Sequence, residues 1–245
     1  MSALDALKAL ILFQLRKSRH SAPTVIASPL AIAFTAIVVL PYALSRSYGA
    51  EVAKSILAGY IPLLAILAAL PAAIIAVIEA SAGRYNHLLL SGVSQYFISV
   101  SIFFVNAILS LIIVVLGLLL SKTLYNFPSH KSIGLVASLV FLGTVGISGL
   151  AVAVSYPFRN PQISGLIVSL LVILFEYLSP VYYPITALPR TWANVVLAIN
   201  PLASVMGFLR GTFSLKFTML VAIPSSILWI VVGIVFLSRK IVKTI

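Results

Sequence analysis

The sequence predicts an all-α integral membrane protein with six transmembrane helices, an N-terminal amphipathic helix in the membrane interface, and a re-entrant helical hairpin between the fifth and sixth spans. Three observations predict it. Of 245 residues 62% are apolar and only 8% charged, with a mean hydropathy of +1.19, an excess that no water-soluble fold can bury. The apolar residues fall in runs long enough to cross about 30 Å of hydrocarbon. Sixteen Lys and Arg face four acidic residues, a net charge of +12. They sit singly at the ends of those runs, as interface anchors against membrane lipid and not as a basic face for nucleic acid.

Residues 3–19 place Asp5, Lys8, Arg16 and Arg19 along one helical stripe and Leu4, Leu7, Ile11 and Leu15 along the other, the pattern of a helix lying in the interface. The apolar run from Ala22 to Leu44 exceeds the roughly 7–15 residues of a signal-peptide core and reads as a retained first span. Spans follow at 23–44, 57–79, 97–120 and 132–156, each bounded by charge or by Ser, Gly and Pro. Pro62 and Pro71 are expected to bend the second, and Gly143, Gly146 and Gly149 to give the fourth a smooth packing surface. The fifth, 163–178, is short: its roughly 16 apolar residues cover about 24 Å at about 1.5 Å each. Beyond it, residues 185–213 hold two apolar stretches divided by Asn200-Pro201. Each is too short to span, which predicts the re-entrant hairpin. A last span, 218–237, leads to Arg239, Lys240 and Lys243.

With both termini cytoplasmic, the inner segments carry Lys8, Arg16, Lys17, Arg19, Arg84, Arg159, Arg239, Lys240 and Lys243. Arg46, Lys54, Lys122, Lys131, Arg190, Arg210 and Lys216 lie outside. The densest clusters flank the first and last spans, and this sets the expected orientation in the plasma membrane.

No Gly-Lys dipeptide occurs, so there is no P-loop, and the common zinc-hydrolase, nucleophile-elbow and dinucleotide motifs are missing too. The chain has no cysteine, which excludes disulfides and thiolate metal sites. His20, His87 and His130 stand on separate segments and read as interfacial polar residues; no metal site and no catalytic residue is predicted. A lipid enzyme would cluster carboxylates or histidines at one depth, yet Glu79 and Glu176 fall near opposite faces.

The informative stretch is Glu79-Ala-Ser-Ala-Gly-Arg-Tyr-Asn-His-Leu-Leu-Leu-Ser-Gly-Val-Ser94, between spans two and three. Its short helix, Arg84 to Leu90, either caps the membrane surface or docks a partner. Farther on come Ser179-Pro180-Val181-Tyr182-Tyr183-Pro184, Leu188-Pro189, Asn200-Pro201-Leu202 and Arg210. Together these resemble the membrane subunit of an ABC-2 type ATP-binding cassette exporter. In that family an acidic residue ends the second span, followed by a glycine turn and a short coupling helix; Glu79, Gly83, Leu89, Leu90 and Ser94 match. The S-P-x-x-x-P, L-P, N-P-L and Arg order matches throughout. Ala80-Ser81-Ala82 departs from the charged pair that the family often places before the glycine.

The resemblance implies one ABC-2 type transmembrane domain over residues 1–245, pairing with a second copy of itself or a similar permease. It also implies two copies of a separate ATPase subunit, which hold the ATP and Mg; this chain carries no cofactor. Coupling to the ATPase would fall to Glu79, Gly83, Arg84, Tyr85, His87, Leu89, Leu90 and Ser94, with Arg16 and Arg19 of the interfacial helix. Ser179, Pro180, Pro184, Pro189, Asn200, Pro201 and Arg210 would form an outer gate. The cargo expected is amphipathic or lipophilic, drug-like or lipid-like. The alternatives are a lipid-linked glycan, or a non-transport role as a lipid enzyme or assembly factor.

Polar residues within spans are functional candidates. Glu176, just before the Ser179-Pro180 break, is expected to face a wet cavity or to pair with Arg190, Arg210 or Lys216. Asn106 and Ser110 share a helix face, for helix-to-helix hydrogen bonds or substrate contact. Phe103, Phe104, Phe175, Tyr177, Tyr182 and Tyr183 either line an apolar path or belong to the aromatic belt.

Overall fold

In the computed structural model the described residues are 34–128, 131–158 and 160–242, with Asp5, residues 8–13, Arg16 and Ala31. Among them every regular element is a helix. A π-helical turn, Thr35–Val39, leads into α1 (Leu40–Tyr48), and Gly49 at φ 93° separates it from α2 (Ala50–Ser81). Then come α3 (Asn86–Leu90), α4 (Gln95–Tyr125), α5 (Ile133–Ser155) and α6 (Pro161–Leu178). The hairpin arms α7 (Arg190–Ile199) and α8 (Pro201–Arg210) precede the last helix, α9 (Leu215–Val242).

Four of these, α2, α4, α5 and α9, are long and apolar enough to cross a membrane, or five spans result if the bent pair α7–α8 is one. The protein is therefore a multi-pass membrane protein. Most of the predicted first span, 23–44, lies outside the described residues. So does most of the predicted interfacial helix, including Leu4, Leu7, Leu15 and Arg19; residues 8–13 of it are helical. There Leu10 is buried while Asp5, Lys8 and Arg16 are exposed.

Two expectations change. A loop between residues 44 and 57 does not exist, because a single glycine in a left-handed conformation turns the chain and helix resumes at once. Lys54, expected in that loop, is on α2 and reaches back to Glu51 at 2.8 Å. Helix α2 then runs from Ala50 to Ser81 with Pro62 and Pro71 inside it, as its predicted span places them.

The bundle packs around α2, the most deeply buried of the four long helices. The most extensive helix pair is α5 with α9, and small residues make it close. A side chain on Gly149 would strike the backbone carbonyl of Trp229, and one on Gly233 would strike Gly149 itself. A methyl on Gly146 would come within 2.9 Å of the Ser226 Cα. Between apolar helices such backbone contact, and not hydrophobic burial, is the main source of association in lipid. A buried bond between the Ser99 and Ser238 hydroxyls, 3.0 Å, ties α4 to α9.

Lys240, expected as an interface anchor, is instead buried. Its ammonium donates to the carbonyls of Tyr156 at 2.7 Å and Phe158 at 3.3 Å, just past the end of α5. A cation there also opposes the negative end of the helix dipole. Lys131 does the same for α8, donating to the Leu209 carbonyl at 3.1 Å.

Gly149→Val should lower stability by about 1–3 kcal/mol, the usual cost of overpacking. Gly134→Ala, whose added carbon meets nothing nearer than 3.7 Å, should be neutral. Thermal unfolding in detergent micelles reads both, and an unchanged midpoint for Gly149→Val contradicts the packing described.

Candidate functional site

Two groups of residues gather at opposite ends of α2. Ser55 and Glu79 lie on that one helix, about 36 Å apart at about 1.5 Å per residue.

At the Glu79 end α2 stops because Ala82 and Gly83 leave helical geometry, Gly83 with φ 69°. The turn is locked from within. Tyr85 is buried and donates its hydroxyl to Glu79 Oε2 at 2.7 Å, while Arg84 Nη1 reaches Glu79 Oε1 at 3.1 Å. Glu79 thus fixes the direction of α3, which begins at Asn86 and not at Arg84. Ser94 ends the segment by accepting from the Tyr96 N–H at 3.4 Å, the N-cap of α4. Along α3, Leu88 and Leu89 pack back against the core. Leu90 projects, 82% exposed, beside exposed His87. The Phe13 ring meets His87 edge-on, centroids 6.1 Å apart, so the N-terminal helix and α3 form one surface. Arg16 is exposed on that helix; Arg19 lies outside the described residues.

The Ser55 end is built on Arg210, at the close of α8. Its Nη1 donates to the carbonyls of Pro180 and, at 2.9 Å, Tyr183; its Nη2 donates to the Val181 carbonyl. Nε donates to the Ser55 carbonyl at 3.1 Å. One guanidinium therefore gathers the turn after α6 and pins it to α2. The fit needs Gly59, where any side chain would collide with the Val181 backbone. Asn200 completes the tie. Its Oδ1 accepts from the Leu202 N–H at 2.9 Å to cap α8, with Pro201 at the first helical position, and its Nδ2 donates to the Ser179 hydroxyl at 2.7 Å. The result bends α7 against α8 by 114°. Pro184 and Pro189 flank the single 3-10 turn Ile185–Ala187 that leads into α7.

Glu176 does not pair with Arg190, Arg210 or Lys216. Its Oε1 accepts the Tyr182 hydroxyl at 2.5 Å, and the Tyr182 oxygen lies 2.9 Å from the Tyr60 hydroxyl. Since Tyr182 gives its proton to Glu176, Tyr60 donates to Tyr182. Burial first, and the bond to Glu176 second, push the Tyr182 phenol above its ordinary range, so it remains a donor. The Tyr177 ring lies 6.0 Å from that of Tyr182.

The other path candidates separate. Phe103 is buried and packs where α5 and α9 meet at Gly233. Ser110 bonds within its own helix, to the Asn106 carbonyl at 2.9 Å, and the Asn106 amide nitrogen is buried without a partner among the described residues. Phe175 instead lines an apolar cavity of about 350 Å³ with Trp192, Val195, Ile199 and Trp229. The sequence did not mark this cavity.

The described residues thus form a helical membrane bundle with a projecting loop at one end of its most buried helix and a proline-rich clasp at the other. The ABC-2 type transporter family matches residues 6–214, and the chain belongs to that family. It is a transmembrane transport protein, the permease component and not the ATPase. No curated protein sequence matches it.

Arg210→Ala should cost about 3 kcal/mol, since each buried carbonyl left without a donor costs about 1–3 kcal/mol. Arg210→Lys should recover only part, because an ammonium lacks the planar fork. Unfolding midpoints in detergent measure both; full stability of the Lys variant contradicts the clasp.

Proposed function

We propose that the chain is the permease subunit of an ATP-driven exporter that moves an amphipathic or lipophilic cargo out of the cytoplasm by alternating access. Two copies assemble on two copies of a separate ATPase subunit, which bind ATP and Mg. The carrying observation is that one continuous helix, α2, holds the projecting α3 loop at one end and the Arg210 clasp at the other. Movement of α3 therefore displaces the clasp without passing through a flexible joint. The apolar cavity beside Trp192 and Trp229 favours a lipophilic cargo over a glycan.

In this reading six spans cross the plasma membrane with both termini cytoplasmic. The first is the predicted span 23–44, most of which lies outside the described residues, and the fifth is α6. The arms α7 and α8, ten residues each, are about 15 Å long, half of the hydrocarbon thickness, and re-enter on the outer side. Exposed Ile163, Leu166, Leu170, Ile173 and Tyr177 repeat along α6 with the three-and-four spacing of a helix seam. The second copy packs there. The interfacial helix and α3 meet the ATPase, and Leu90 is the docking side chain.

The test is to isolate the chain with the ATPase subunit it assembles with and to place the complex in liposomes. ATP should drive uptake of a lipophilic dye into inverted vesicles. Leu90→Asp should reduce transport at least tenfold while the permease remains folded, since one buried unpaired charge weakens an interface by several kcal/mol. Failure to assemble with any ATPase, together with transport indifferent to ATP, overturns the reading. Because the chain has no cysteine, Leu170→Cys provides a lone thiol. A thiol crosslinker should join two copies through it, but not through Leu228→Cys on α9; equal crosslinking at both contradicts the seam.

A further inference from the structure

The acidic residues are few, and most of their chemistry is accounted for. Glu51 is paired with Lys54 and Glu79 with Arg84. Glu176 differs. It lies in the last turn of α6, among apolar residues, and the ion pairs of the described residues leave it out. Its bond comes from a neutral phenol, backed by a second phenol. Arg210, whose guanidinium holds the adjoining turn, points all its described bonds at Ser55 and at backbone carbonyls.

Around that carboxylate stand aromatic faces. Tyr182 lies edge-on to Tyr60, centroids 5.7 Å apart, and tilted by 34° against Tyr177. Tyr177 is 62% and Tyr182 40% exposed, so the outer two rings are free to meet a ligand while Tyr60 backs them. A carboxylate with no cation paired to it among the described residues, bordered by tyrosine rings, is complementary to a weakly hydrated organic cation. The negative ring faces and the carboxylate attract the same charge, and an alkyl- or aryl-substituted cation leaves water at low cost. An anionic lipid or lipid-linked phosphate is repelled at the same place.

We propose that Glu176, Tyr177 and Tyr182 form a binding site for a lipophilic organic cation, an amine or quaternary ammonium, and that this is the class of cargo selected. The assignment of this ligand as cargo rests on the export reading; the binding site does not. Tyr177 closes the α6 seam and Glu176 is its neighbour, which puts the site beside the place where two copies meet in the export reading.

A matched pair of ions tests the site directly. Tetraphenylphosphonium and tetraphenylborate share size and apolar surface and differ in charge. The purified chain in detergent, alone and with its ATPase, should bind tetraphenylphosphonium saturably and tetraphenylborate at least tenfold more weakly. Glu176→Gln keeps an acceptor for the Tyr182 hydroxyl and removes the charge. A purely structural Glu176 would tolerate it, whereas the site described loses about tenfold in cation affinity with an unchanged unfolding midpoint. Tyr177→Ala, at an exposed position, should weaken binding several-fold and serves if the Gln variant does not fold.

Equal binding of the two ions, or undiminished cation affinity in both variants, overturns the proposal. Displacement by phosphatidylcholine would place a lipid choline headgroup in the site, and its failure to displace would place a free cation there. The two readings fail separately. Cation binding without any ATP-driven transport removes the export reading and leaves the site; ATP-driven transport abolished by Leu90→Asp but blind to ligand charge removes the site and leaves export.

Discussion

The arrangement depends on how Arg210 satisfies a turn that cannot satisfy itself. Between Ser179 and Pro189 the chain carries three prolines, which donate nothing, while its carbonyls still require donors. Water supplies them in a soluble loop. Where water is kept out the protein must supply those donors itself, and the guanidinium, with five N–H groups in a fixed plane, supplies them at three carbonyls together. The spacing of the motif follows. Ser179 receives Asn200, Asn200 caps α8, Pro201 starts it, and ten residues of helix bring Arg210 back to the turn.

Helix α2 turns that local solution into a property of the whole molecule. It offers Ser55, Gly59 and Tyr60 to the clasp within less than two turns, and Glu79 to the α3 loop at its other end. Both ends hold by direct side-chain bonds, with no linker between. In α5 and α9 the same logic works through absence, glycine against backbone, which fixes their separation tightly. A bundle packed along its length and held by side-chain bonds at both ends of α2 would move as a unit, which the proposed transmission from an ATPase requires.

The helical class, the short fifth helix and the break at Asn200-Pro201 were legible because each is written locally, in apolar run length, in a capping side chain and in proline. The clasp was not, although Ser179, Pro180, Asn200, Pro201 and Arg210 stood out in the sequence; Ser55, Gly59 and Tyr60 on α2 did not. Its acceptors are backbone carbonyls, and no residue type announces those. For that reason the sequence offers Glu176 a wet cavity or a pairing with Arg190, Arg210 or Lys216: opposite charges attract, but the Arg210 guanidinium is already surrounded by oxygen. Lys240 misled in a similar way, since a terminal lysine reads as an interface anchor and only the end of α5 shows what it caps. The difference between Leu89, turned inward, and Leu90, turned out, is one residue of helical phase. A five-residue helix is too short for periodicity to set that phase.

The most direct measurement is the distance between the two ends of a single chain. Spin labels at Leu90→Cys and Thr186→Cys, in chains diluted with unlabelled protein so that only intramolecular pairs count, report whether α3 and the clasped turn keep a fixed relation. The account predicts one narrow distance distribution in the otherwise native chain and a broad one when Arg210→Ala is added. Distributions of equal width in the two would contradict it, for then the turn would hold its place on α2 without the guanidinium.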